Sequence, residues 1–254
     1  MTLTKRVVAC LDVSNGRVVK GTKFVELRDI GDPAAMAASY EAQGADEIVF
    51  LDISATPGNR STMLSLVRKT AEQLFIPLAV GGGIRSADDV LRALDEGADK
   101  VAINSAAVTR PAIITESADR IGSQCVTASI DVATIAGELI VVIAGGRKVT
   151  GLRAVEWARE CADRGAGEII LTSIDRDGAR SGYDLELTAA VADAVSIPVV
   201  ASGGAGSALD VVEVLQATNA QAALVAGILH EGTVSVGEIK SAMRISGIAA
   251  REAA

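Results

Sequence analysis

Short apolar runs rich in β-branched residues recur along the chain at Val7–Leu11, Ile48–Leu51, Ile76–Val80, Val101–Ile103, Val126–Ile130, Ile169–Thr172, Val199–Ala201 and Ala223–Val225. Each is strand-sized, and the stretches between them are long enough for one helix apiece. Several of those helices have readable ends: Asp32-Pro33 supplies a cap followed by an N1 proline, and Gly122 and Gly165 stand just past helical patterns. Strand followed by helix, eight times, predicts a parallel sheet covered by helices. Eight such units in about 250 residues fit closure into an α/β (β/α)8 TIM barrel, with an open doubly wound sheet as the alternative.

The pattern also repeats on a larger scale. Glu47-Ile48-Val49-Phe50 returns as Glu168-Ile169-Ile170-Leu171, Ile76-Pro77 as Ile197-Pro198, and Gly82-Gly83 as Gly203-Gly204, each 121 positions on. The S-x-x-D capping signal Ser86–Asp89 recurs as Ser207–Asp210 at the same offset. A solenoid unit is typically ~20–50 residues, so this period is too long for one. Two similar half-barrels fused without a linker account for it, and residues 1–254 are expected to form a single domain.

Composition narrows the chemistry. The 254 residues carry a net charge of −8, three cysteines and one histidine, with 49% apolar residues. That share excludes disorder, and the acidic balance argues against general affinity for nucleic acid or an anionic membrane. Cys10, Cys125 and Cys161 form no CxxC pair and read as core residues. One histidine makes zinc hydrolysis and Ser-His-Asp chemistry poor readings. No run approaches a ~20-residue membrane span and the first is too short for a signal sequence, so a cytoplasmic setting is expected.

Strand ends are where a barrel keeps its chemistry. Asp12 ends the first predicted strand and Asp131 the fifth, on opposite sides of the mouth. Two carboxylates there suit acid/base work if their surroundings separate their proton affinities, although either could simply cap a turn. Gly81-Gly82-Gly83 and Gly203-Gly204-Ala205-Gly206 join strands to capped helices. Such turns can present backbone N–H groups to phosphate, and they can also exist for tightness alone. With Asn104-Ser105 after strand four and Ala226-Gly227 after strand eight, they outline two opposed anion sites and a substrate with a phosphate at each end. Gly16 to Asp32, containing Arg17, Lys20, Lys23 and Arg28, and Val132 to Gly151 are long connections expected to be lids or binding loops. Arg176 and Arg180 are either phosphate ligands or solvated charges, and His230 reads as a packing or capping residue. At the other end of the strands, Arg6, Glu47, Lys100 and Glu168 each precede an apolar run, which gathers two cations and two anions into what spacing alone reads as a salt-bridged floor.

Arg6-Val-Val-Ala-Cys-Leu-Asp12, Gly16-Arg-Val-Val-Lys-Gly21, Leu27-Arg-Asp29 with Gly31-Asp-Pro33, Val80-Gly-Gly-Gly-Ile84, and Leu171-Thr-Ser-Ile-Asp-Arg-Asp-Gly178 with Ser181-Gly-Tyr-Asp184 closely resemble the cyclase subunits of imidazole glycerol phosphate synthase. The resemblance covers nearly the whole chain and is weakest after Gly232. It implies a (β/α)8 barrel that converts a bis-phosphorylated ribulosyl formimino intermediate, with ammonia, into imidazole glycerol phosphate and aminoimidazole carboxamide ribotide. It implies Asp12 and Asp131 as the acid/base pair. Phosphate-lining positions would be Gly82, Gly83, Asn104, Ser105, Asp177, Gly178, Gly203, Gly204, Ala226 and Gly227, with Lys20 in a lid. Arg6, Glu47, Lys100 and Glu168 would form an ammonia gate facing a separate glutaminase subunit, and neither metal nor organic cofactor is implied. Three positions depart from the family's habit: Gly227 replaces a common Ser, Lys23 a common Asn, and Glu231 a common aromatic. A sibling isomerase of the same pathway and a non-catalytic sugar-phosphate binder remain competing readings, the latter opposed by retention of both aspartates.

Overall fold

A computed structural model describes residues 3–22, 25–53 and 60–252. Its strands are β1 (Arg6–Ser14), β2 (Arg17–Thr22), β3 (Val25–Gly31), β4 (Glu47–Asp52), β5 (Leu78–Gly81), β6 (Lys100–Ile103), β7 (Val126–Ile135), β8 (Glu138–Ile143), β9 (Lys148–Arg153), β10 (Glu168–Ser173), β11 (Val199–Ser202) and β12 (Ala222–Val225). Eight of them pair in parallel in the order β1-β4-β5-β6-β7-β10-β11-β12, and β12 returns to β1. The sheet is therefore a closed barrel, and closure leaves it without edges. The helices are α1 (Pro33–Ala42), α2 (Arg60–Ala71), α3 (Ala87–Asp95), α4 (Ser105–Thr109), α5 (Ala112–Ile121), α6 (Ala154–Asp163), α7 (Leu185–Ala192), α8 (Ala208–Ala217), α9 (Gly227–His230) and α10 (Val236–Ile245). None among the described residues is long and apolar enough to cross a membrane.

The expected ends hold. Asp32 accepts from the Ala35 N–H with Pro33 in the first turn, and Ser207 and Asp210 make a reciprocal capping box at the head of α8. Gly122 and Gly165 take the positive φ that ends α5 and α6. Five barrel strands begin one residue earlier than their apolar runs, and one begins later: the run from Ile76 becomes β5 only at Leu78, because Pro77 has no N–H to give a central ladder.

Both long connections, expected to be lids or binding loops, are built as β-hairpins. β1 runs past the barrel, turns at Asn15-Gly16 and pairs antiparallel with β2, which pairs with β3. β7 does the same through Ala136-Gly137 into β8 and β9. Both residues of each turn have positive φ, the two-residue geometry whose twist matches the flanking strands. These turns also obey the 121-residue offset, whereas Asp12 and Asp131 lie 119 apart. Register explains the difference, since Asp12 pairs with Leu51 and Asp131 with Thr172, themselves 121 apart. Two extra residues in β7 lengthen the second hairpin by one pleat repeat, so every side chain keeps its face. Lys23, in the first excursion, lies outside the described residues.

Two cores fill the fold. Alternate strand residues such as Val7, Ile48, Phe50, Ile130, Ile169 and Leu171 pack outward against the helices, with Trp157 of α6 and Ile113 of α5 among the buried partners. The opposite set, Val8, Cys10, Val49, Ala79, Ala102, Ile170, Val200, Ala222 and Leu224, fills the barrel interior. The cavity is thus packed between a charged floor and an open mouth. Cys10 and Cys161 are buried, as core packing requires, while Cys125 is half-buried.

Candidate active site

Asp12 and Asp131 point inward at the mouth, each one residue before the last parallel barrel pairs, Val13–Asp52 and Val132–Ser173, and the strands themselves continue into the hairpins. Their surroundings differ. Asp131 accepts a 2.8 Å hydrogen bond from Asn104 Nδ2, which favours its anion against burial and the nearby Asp177 charge, and its carboxyl rises only to about 6. Burial, with the Asp177 charge adding to it, raises Asp12 to about 7. Asp177 is held by the turn after β10, where its N–H donates to Ser173 O at 2.9 Å. Burial raises its own carboxyl and the Gly178 N–H lowers it.

The resemblance groups Asp177 with phosphate positions, yet its charge acts on both aspartates and on the Cys10 thiol. A carboxylate so placed disfavours the charged forms of Asp12 and Asp131. Its motif, Asp175-Arg176-Asp177-Gly178 directly after a strand, was the available signal for this. Asn104 also holds an acceptor in reserve: its Oδ1 is buried and, among the described residues, without a hydrogen-bond partner. That oxygen suits an N–H donor from the reacting molecule.

Gly82 and Gly83 directly follow β5, whose neighbour β6 is directly followed by Asn104 and Ser105. Gly203 and Gly204 directly follow β11, whose neighbour β12 is directly followed by Ala226 and Gly227. Both predicted groupings therefore assemble, on opposite sides of the mouth. Ser105 is partly spoken for, because its Oγ accepts from Ala144 N at 3.1 Å and ties down the second hairpin. Before α8, the Gly206 and Ser207 amides each donate to Asp210 at 2.8 Å. Donors for an anion must then come from the glycines earlier in the turn and from Gly227.

Tightness is a real requirement at these turns. A Cβ on Gly82, at φ +98, would lie 2.3 Å from Asp52 O, and one on Gly204, at φ +106, would lie 2.2 Å from Gly182 O. Gly227 is different: a Cβ there meets only the flexible end of Lys20, with Nζ at 3.6 Å and Cε at 3.9 Å. Gly204→Val is therefore expected to lose about 3 kcal/mol or more of stability through backbone collision and strain, before any loss of binding. Gly227→Ser should leave stability within about 0.5 kcal/mol and tighten phosphate binding by up to about 1.5 kcal/mol through its added donor. Thermal unfolding and phosphate titration of the two variants check the contrast.

Lys20, on β2, reaches across to the same side, where its Nζ donates to Gly227 O at 3.4 Å and pairs with Glu231. Arg180 pairs with the other oxygen of Glu231 at 2.5 Å, and Arg176 bonds Ser181 within its own turn. His230 packs, as expected: a ring nitrogen lies 2.7 Å from Tyr40 Oη and the rings stack at 5.9 Å. Burial and then Lys20 push its imidazole down to about 4, which keeps it neutral at pH 7.

At the far end, Arg6, Glu47, Lys100 and Glu168 close into a ring. Arg6 bonds Glu47 at 2.8 Å and also Glu168, and Lys100 bonds Glu47 at 2.8 Å and Glu168 at 2.7 Å. Both carboxylates are buried. Burial raises Glu47, with Lys100 opposing and Glu168 adding to the rise. Among the described residues, no group of three or more His, Cys, Asp or Glu side chains is arranged to hold a metal ion.

Comparison with known proteins bears on this arrangement. The sequence profile described as "Histidine biosynthesis protein" matches residues 6–235. A curated relative from Myxococcus xanthus, named imidazole glycerol phosphate synthase subunit HisF, is 63% identical over 246 residues, covering 97% of both chains. Another of that name, from Halalkalibacterium halodurans, is 54% identical over 251 residues, covering 98% of this chain and all of the relative. With the closed barrel and its two-sided mouth, these matches make the chain a member of the histidine biosynthesis protein family and, within it, of the cyclase subunits of imidazole glycerol phosphate synthase.

Proposed function

We propose that this barrel closes the imidazole ring by joining ammonia to a bis-phosphorylated ribulosyl formimino substrate, releasing imidazole glycerol phosphate and aminoimidazole carboxamide ribotide. The observation that carries the reading is the pair of inward carboxylates, held near 7 and near 6, set between two glycine turns on opposite sides of one mouth. Turns at Gly82-Gly83 with Asn104-Ser105, and at Gly203-Gly204 with Ala226-Gly227, hold the two phosphates and stretch the substrate across the aspartates. Lys20 covers the second phosphate from the hairpin.

The chemistry condenses ammonia with the ribulosyl carbonyl, losing water, and then adds the same nitrogen to the formimino carbon, expelling the ring amino group of aminoimidazole carboxamide ribotide; a proton lost from the ribulosyl CH2 next to the former carbonyl makes the new ring aromatic. Each departing group must be given a proton, and protons must be taken from nitrogen and from that carbon. Asp131, whose anion Asn104 stabilises, acts as the base. Asp12, which keeps its proton to higher pH, acts as the acid. Asn104 Oδ1 accepts from the incoming nitrogen. No metal or organic cofactor enters this scheme. The relatives are named as subunits, and the proposed partner is a glutaminase docked under the barrel floor, with the Arg6–Glu47–Lys100–Glu168 ring as the gate for its ammonia.

The test is consumption of the bis-phosphorylated substrate with ammonium salt as nitrogen source, held at constant free ammonia while pH is varied. With a base near 6 that must be ionised and an acid near 7 that must be protonated, kcat/KM is expected to pass through a maximum between them. A profile flat from pH 5 to about 8 removes the acid/base assignment. Turnover of the preceding aminoaldose without ammonia would favour an isomerase instead.

A further inference from the structure

Glu231 sits between two cations that belong to opposite lips of the second phosphate cradle. One lip is the turn after β12, and Lys20 lies over it, with its Nζ on Gly227 O at 3.4 Å. The other is the turn after β11. There the segment carrying Arg180 packs so closely that a Cβ on Gly206 would fall 2.4 Å from Arg180 O, and one on Gly204 would fall 3.1 Å from Arg176 Cβ. Glu231 gives one oxygen to Lys20 and the other to Arg180. Its backbone is anchored independently, by donation to Gly227 O at 3.2 Å. Neither pairing is local in sequence, since Lys20 lies 211 positions away, so the carboxylate bridges the first hairpin, the β10 turn and the β12 turn.

We propose that Glu231 is a resident counter-anion of the second phosphate cradle, holding Lys20 and Arg180 across it until a phosphate takes them over, and so setting how tightly this enzyme binds that end of its substrate. The proposal rests on the phosphate reading of the Gly203-Gly204 and Ala226-Gly227 turns. The physical argument is competition: Lys20 and Arg180 can satisfy a carboxylate or a phosphate dianion, and the cost of releasing the first is subtracted from binding the second. The two cations hold the Glu231 carboxyl down at about 2, so at neutral pH the competing charge is always present. All three side chains touch solvent, which makes the effect moderate.

The probe is inorganic phosphate, titrated calorimetrically and used as an inhibitor of ammonium-driven synthesis. Glu231→Gln removes the charge and keeps the shape. It is expected to tighten one class of phosphate site by about three- to tenfold, the scale of two partly exposed ion pairs, and to lower KM with kcat within about twofold. The site at Gly82-Gly83 should be unaffected and serves as an internal control. In a Lys20→Met background the gain from Glu231→Gln should shrink, as coupled groups require. If phosphate competes with substrate in the parent but Glu231→Gln leaves both classes unchanged, or weakens one, the proposal is wrong while the cradle stands. If phosphate does not compete with substrate at all, the cradle reading fails and the proposal goes with it.

Discussion

Asp131→Asn is expected to lose about 10²–10⁴ of ammonia-dependent turnover while binding substrate normally, and Asp12→Asn to do the same. The loss follows from removing a proton carrier from its place on the strand. Asp177 cannot stand in for it, because it is held by the turn after β10, where its N–H donates to Ser173 O. Stability should move the other way. The folded chain keeps the Asp12 proton to about 7, whereas an unfolded Asp releases it near ~3.9, so folding binds an extra proton between those values. Its contribution is fully present below the unfolded value, declines as pH rises, and is gone by the folded one. Asn carries no such penalty. The three-unit shift sets a ceiling of about 4 kcal/mol, and solvent at the mouth reduces the expected gain at pH 8 to about 1–2 kcal/mol. That is a Tm rise of ~2–8 °C in a chain of this size. A variant that keeps turnover within about threefold of the parent loses its assigned role.

Lys100→Met should cost about 2–3 kcal/mol, or ~4–12 °C in Tm, because Glu47 and Glu168 are then left to share Arg6 alone. The carboxylates are buried and the two cations partly exposed, so the loss falls below that of a fully buried broken pair. Gate and floor part company in the activities. As a gate, the ring controls nitrogen arriving from the glutaminase side, so glutamine-driven synthesis with the partner present should change more than ammonium-driven synthesis. External ammonia can also enter from the open mouth. If both activities fall in proportion to the lost stability, the ring is a structural floor. Measuring the two rates and the melting temperature on one preparation decides it.

Most of the barrel could be read directly because parallel strands covered on both faces are continuous apolar runs, and all eight runs became strands. The hairpins were harder to read. Arg17, Lys20 and Arg28 give the first one the look of a solvated loop, and of the described side chains of β3, residues 28–30 are exposed, so hydrophobic pattern is a poor guide there. Asn15-Gly16 was nevertheless a strong turn signal, and Ala136-Gly137 repeats it at the half-barrel offset. The site divides in the same way. Asp12 and Asp131 are legible because strand ends have fixed places in a barrel. The charge of Asp177 on both of them, and the bridge through Glu231, depend on how three separate connections fold over the mouth. Linear spacing carries no record of that.

The continuity of β1 and β7 past the barrel has a mechanical meaning. Each acid shares an unbroken strand with the flap above it, and the first antiparallel pairs, Val13 with Val18 and Asp131 with Val142, begin beside or at the acid itself. A hairpin that peels from its far strand loosens toward a reacting group, and one that zips shut stiffens it. The second flap grips its acid directly and through five successive pairs, from Asp131–Val142 to Ile135–Glu138, while the first has two pairs and starts one residue later. The two flaps are thus levers of unequal stiffness. Flap, strand and aspartate recur as one unit in the two halves, and the two extra residues of β7 make the units mechanically distinct without turning either aspartate away from the mouth.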